Sequence, residues 1–100
     1  MDKTTKIRLS PKEIETIRNV IKKYDPKARI FIFGSRIDPL KKGGDIDILV
    51  ISKKIDYKIR RKIRVDLLLE LGDRKIDIII TDNIGKSEFI KVAYKYGVEI

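Results

Sequence analysis

Two aspartates one residue apart, Asp45 and Asp47, stand at the head of an apolar run that ends at Ile51. Side chains alternate along a strand, so residues i and i+2 project from the same face. Both carboxylates then lie side by side at the mouth of one strand, with Leu49 and Ile51 continuing that face as apolar. Two negative charges held so close repel unless something cationic lies between them. Oxygen ligands at that density suit a hard cation, Mg²⁺ above all, which in such sites usually also touches substrate phosphates. The preceding apolar run, Ile30-Phe31-Ile32-Phe33, ends in Gly34-Ser35-Arg36. Gly34 and Ser35 offer bare backbone and a hydroxyl where phosphate oxygens can dock. Arg36 could neutralise a phosphate, although a surface arginine after a turn would look the same. A third carboxylate, Asp77, interrupts the isoleucine run 76–80. Buried there without a partner it would be costly; a metal, a lysine or a strand-end position would resolve it. Asp82 is its rival, in the turn-forming stretch Asp82-Asn83-Ile84-Gly85.

Gly-Ser, a gap of nine residues from Ser35 to Asp45, then Asp-x-Asp between apolar residues resembles the nucleotidyltransferases of the DNA polymerase beta superfamily. The Gly34-Ser35-Arg36 opening is most similar to the minimal nucleotidyltransferases (MNT), partners of HEPN-domain proteins. The chain departs from their pattern at Ile37-Asp38-Pro39, where a further Arg-Gly is typical, and at Gly44, where a serine is common. The resemblance implies a polymerase-beta-type fold with Asp45, Asp47 and Asp77 as catalytic metal ligands. It makes Asp77 a candidate base for the attacking hydroxyl, and Gly34, Ser35 and Arg36 the nucleotide-binding residues. It further implies Mg²⁺ as cofactor and ATP as substrate, with AMP passed to a tyrosine of a HEPN toxin and this chain acting as antitoxin.

The elements that must position these residues are legible from periodicity and punctuation. Ser10-Pro11-Lys12-Glu13 forms a helix start with a capping box. Ile14, Ile17, Val20 or Ile21, and Tyr24 then recur along one face, and Asp25-Pro26 ends the helix. Strands are expected at 28–33, 45–51 and 75–81, the first apolar on both faces and therefore central. Residues 37–44 read as a loop. A second helix spans 56–71 with Ile59, Ile63, Leu67 and Glu70 or Leu71 on one side, Arg60, Arg61, Lys62 and Arg64 on the others, and Gly72 as C-cap. A third begins near Ser87, carries Phe89, Ile90, Ala93 and Tyr94, and stops at Gly97; residues 98–100 are too few to assign. The expected architecture is one α/β (α+β) domain over residues 1–100, with a small mixed sheet of about three to five strands flanked by helices.

Composition sets outer bounds. The chain of 100 residues contains no cysteine and no histidine. Disulfides, thiolate sites and imidazole bases are therefore excluded, and acid–base chemistry must come from Asp, Glu, Lys or Tyr. No apolar run approaches the ~20 residues of a membrane span, and the first six residues lack a secretory signal's apolar core; a cytoplasmic protein is expected. At this size the acceptor is expected to be held by a separate partner chain. The net charge of +9 favours polyanions or an acidic partner, but a Lys-rich surface is also a bulk property of thermophile sequences. No aromatic stacking platform is evident, so nucleic acid is expected to bind weakly if at all. Two other readings stay open: a catalytically weak module that neutralises its partner by contact, and a basic RNA-binding domain with incidental acids.

Overall fold

The computed structural model describes residues 9–34, 46–72 and 74–100. Helix α1 (Pro11–Tyr24) begins as expected: Ser10 Oγ accepts from the Glu13 N–H at 3.1 Å, and Glu13 Oε1 accepts from the Ser10 N–H at 2.8 Å. Glu13 also ion-pairs with Arg74, tying the helix start to the chain ahead of the last long strand. Strand β1 (Arg29–Phe33) starts one residue later than the apolar run suggests, because the Ala28 N–H is already spent on the Asp25 carbonyl at 3.1 Å. Strand β2 spans Ile46–Ile51, helix α2 Tyr57–Leu71, strand β3 Ile76–Thr81 and helix α3 Glu88–Tyr96. The tail pairs as a short strand, β4 (Val98–Glu99), alongside β1.

The sheet order is β3-β2-β1-β4. β1 runs antiparallel to both its neighbours, and β2 and β3 are parallel. A parallel pair needs a long crossover, which α2 supplies. Alternation along the strands splits the apolar residues between two faces. Ile30, Ile32, Ile46, Ile48, Val50, Ile76 and Ile78 pack under Ile17, Val20 and Ile21 of α1 and Ile63 and Leu67 of α2. Phe31 and Leu49 pack on the other face against Ile90 and Ala93 of α3, with Phe33, Ile51 and Ile79 half-buried beside them. The result is three layers, with α1 and α2 on one side of the sheet and α3 on the other.

Of the two residues left open for the end of α2, Leu71 packs on the core and Glu70 is exposed. Gly72 closes that helix at φ +90°, its N–H bonded to the Leu68 carbonyl at 3.0 Å. One of the five basic residues of α2 is recruited locally: the Arg60 guanidinium donates to the Ile78 carbonyl at 3.2 Å, covering a backbone acceptor on the edge strand β3. Of the apolar residues that α3 carries, Phe89 is exposed, whereas Ile90 and Ala93 are buried.

Candidate active site

Three strand ends meet at one edge of the sheet. β1 arrives there with Phe33 and Gly34, while β2 and β3 both depart from it. In the parallel ladder Asp47 is the register partner of Asp77, and in the antiparallel ladder Phe33 is the register partner of Asp47. Register partners project from the same face. Asp47 and Asp77 therefore stand side by side, both half-buried, on the α3 face of the sheet. Leu49 and Ile79, next along that face, bury the floor behind them.

Gly34 shapes the remaining side. Its φ is +75°, where L side chains are strained, and a Cβ at that position would lie 3.2 Å from Asp47 Cγ and well inside contact with Oδ2. The Asp47 carboxylate thus occupies the space that any other residue's side chain would need. Bare backbone at the end of β1 and two carboxylates on the next two strands thus meet at one end of the sheet, the mouth of the candidate site. Ser35, Arg36, Asp45 and the loop expected at 37–44 lie outside the described residues, as does the N-terminal segment 1–8.

Among the described residues no group of three ligating side chains assembles; Asp47 and Asp77 are the pair that does. Their donors are carboxylate oxygens, and a cation between them would relieve the repulsion of two like charges in register. That donor set fits a hard divalent cation such as Mg²⁺. No hydrogen bond or ion pair joins the Asp77 carboxylate to a described residue.

A family model, Polymerase beta, Nucleotidyltransferase, matches residues 15–100. The chain belongs to the polymerase beta nucleotidyltransferase family. No curated protein matches it. Its four-stranded mixed sheet flanked by helices is a fold of that type, and the chain is a nucleotidyltransferase domain. Within this nucleotidyltransferase, Asp82 falls at the far end of β3, five residues beyond Asp77, or about 17 Å along a strand. It is exposed there and lines a cleft of ≈ 330 Å³ with Asp25, Lys27, Arg29 and Lys54. Asp82 therefore shares no site with Asp47. Among the described residues no helix is long and apolar enough to cross a membrane.

One feature of the mouth escaped the sequence reading. Phe33, beside Asp47, carries Phe89 of α3 edge-to-face, with ring centroids 5.8 Å apart and planes at 78°. The signal was present in the spacing: Phe89, Val92 and Tyr96 recur at i, i+3 and i+7, a stripe offset from the buried Ile90 and Ala93.

Proposed function

We propose that this nucleotidyltransferase domain transfers AMP from ATP to a protein hydroxyl, a tyrosine of a HEPN-domain toxin, and so acts as its antitoxin. The observation that carries the transfer chemistry is the register of Asp47 with Asp77 across from the bare backbone of Gly34. The choice of acceptor and partner rests on the Gly34-Ser35-Arg36 and Asp45-x-Asp47 pattern and its resemblance to the minimal nucleotidyltransferases.

Asp47 and Asp77, with Asp45 as the further candidate ligand, would hold a divalent cation. When bound, that cation supplies charge neutralisation at the triphosphate and the leaving pyrophosphate. The backbone at Gly34 admits the phosphates on the β1 side of Asp47, with Ser35 and Arg36 as the candidate phosphate contacts. α3 packs against β1 and β2, leaving the β3 side of the mouth, at Asp77, for the acceptor. Asp77 takes the acceptor's proton as the hydroxyl oxygen bonds to the α-phosphorus. The bond from the α-phosphorus to the bridging oxygen breaks, and pyrophosphate leaves.

The test is co-purification of the chain with its partner, incubation with ATP and Mg²⁺, and intact mass of both chains. A gain of one AMP on the partner supports the reading. Tight partner binding with no transfer from any nucleotide would assign the chain to contact neutralisation instead.

A further inference from the structure

The aromatic pair beside Asp47 has a place in the reaction that the carboxylates do not explain. Phe33 and Asp47 are directly opposite in an antiparallel ladder, which puts their Cβ atoms about 4.5–5.5 Å apart on one face. Phe89 then stands one ring further out, its centroid 5.8 Å from that of Phe33. That order, carboxylate, inner ring, outer ring, suits a nucleotide whose phosphates lie at Asp47 and whose base reaches Phe89.

The ring is also available. Phe89 is 58 % exposed, although it sits in the first turn of a helix whose packing is secured by Ile90 and Ala93. The other edge-to-face pair, Phe31 with Tyr94, differs: the Arg29 guanidinium lies over both rings, 5.2 Å and 5.7 Å from their centroids. No cation covers Phe89 among the described residues, and its T-shaped contact with Phe33 holds the ring beside the end of β1. An oriented, open aromatic face is what base stacking needs, and it is tolerant of base identity because every base has a π-face.

We propose that Phe89, braced by Phe33 at the mouth beside Asp47, is the stacking platform for the base of the nucleoside triphosphate. This rests on the nucleotidyl-transfer reading of Asp47 and Asp77. It gives the mouth two sides: the nucleotide extends from Asp47 over β1 toward α3, and the acceptor approaches Asp77 from the β3 side. Recognition by a ring face carries no hydrogen-bond readout, so purine triphosphates bind more tightly than pyrimidine ones through their larger stacking area.

Calorimetric titration of the full chain with ATP and with inorganic tripolyphosphate, both with Mg²⁺, tests this without any partner. Phe89→Leu keeps an apolar side chain but removes the ring, and Phe89→Tyr keeps the ring. Phe89→Leu should weaken ATP on the order of tenfold, the scale of one lost base–aromatic stack, and leave tripolyphosphate unchanged; Phe89→Tyr should bind both as wild type does. Equal ATP affinity in Phe89→Leu and wild type, or equal losses for ATP and tripolyphosphate, would overturn the platform. If Asp47→Asn abolishes tripolyphosphate binding in that same case, the transfer reading stands and the platform alone falls. Wild type that binds neither ligand overturns both.

Discussion

A carboxylate stands at each end of the β2 strand, Asp47 on the strand itself and Asp25 against it from the α1–β1 connection, and the two are treated in opposite ways. At the far end Asp25 is buried and fully bonded. Ser52 Oγ donates to its Oδ2 at 2.5 Å and the Lys27 N–H donates to its Oδ1 at 3.0 Å. Those bonds, the serine's first, hold its carboxyl below the usual carboxylate range. Ser52 in turn accepts from the Lys54 and Ile55 N–H groups, both at 3.1 Å, closing a tight turn into α2. At the near end Asp47 meets a second carboxylate in register and a glycine that makes room for it. A carboxylate given donors on every side stabilises a turn. Two carboxylates in register on neighbouring strands suit a cation. The same residue type serves structure at one end of a strand and chemistry at the other, and the neighbours decide which.

The largest expected effect breaks the near end. Asp77→Asn is close to isosteric, so the fold should persist without a cavity. AMP transfer to the partner should fall by at least ~10²-fold, the usual scale for losing a general base. A pull-down should show partner binding nearly unchanged. The melting temperature should hold or rise, since Asp47 loses a like-charged neighbour. Asp82→Asn, at the far end, should transfer normally. Loss of partner binding together with transfer in Asp77→Asn would make Asp77 an interface residue.

The far end should respond in stability and not in chemistry. Ser52→Ala leaves Asp25 one donor short and two turn N–H groups without an acceptor, at about 1–3 kcal/mol. Urea unfolding should show that loss while transfer proceeds at the wild-type rate, because Asp47 lies about five residues, or roughly 17 Å, away along β2. The pH dependence has a definite sign. Asp25 has a lower pKa folded than unfolded, so its contribution is complete above its unfolded value of about 3.9. It is lost as pH falls from there through the folded value. Wild type should therefore lose stability below about pH 4 more steeply than Asp25→Asn.

Two glycines sharpen the comparison at smaller cost. Gly34 and Gly72 both have φ in the left-handed region, +75° and +90°, but a Cβ at Gly72 meets nothing within 4 Å. Gly72→Ala should cost about 1–3 kcal/mol of backbone strain and leave Mg²⁺ or Mn²⁺ binding intact. Gly34→Ala should cost at least as much and also displace the Asp47 carboxylate, weakening metal binding in a titration. Equal metal affinity in the two variants would remove Gly34 from the site.

The smallest effect concerns the basic surface. RNA should bind weakly and without sequence preference, its affinity falling by about 0.7 log units per phosphate contact for each tenfold rise in salt. Lys53→Ala with Lys54→Ala, at the far end, should lower that slope without touching transfer. Sub-micromolar, sequence-selective binding at physiological salt would instead make RNA recognition a principal activity.

Sequence alone determined what depends on neighbours in the chain. Ser10, Pro11 and Glu13 set the start of α1, and Gly72 the end of α2, because caps are local hydrogen-bond chemistry. Alternation placed Leu49 on the face of Asp47 and Ile79 on that of Asp77, and marked Asp77 as the acid in an isoleucine strand. Only the tertiary structure decided what depends on pairing. β4 has two residues, too few to carry a period, and is a strand because β1 supplies its hydrogen bonds. The parallel register that sets Asp47 beside Asp77 is chosen by which isoleucines must be buried under α1 and α2; a slip of one residue would turn Asp77 into the core. Phe89 and Ile90 are adjacent and equally apolar, yet one lies in the core and the other stands open beside Asp47. Spacing separates the two stripes of α3, but which stripe is buried follows from its contacts with β1 and β2.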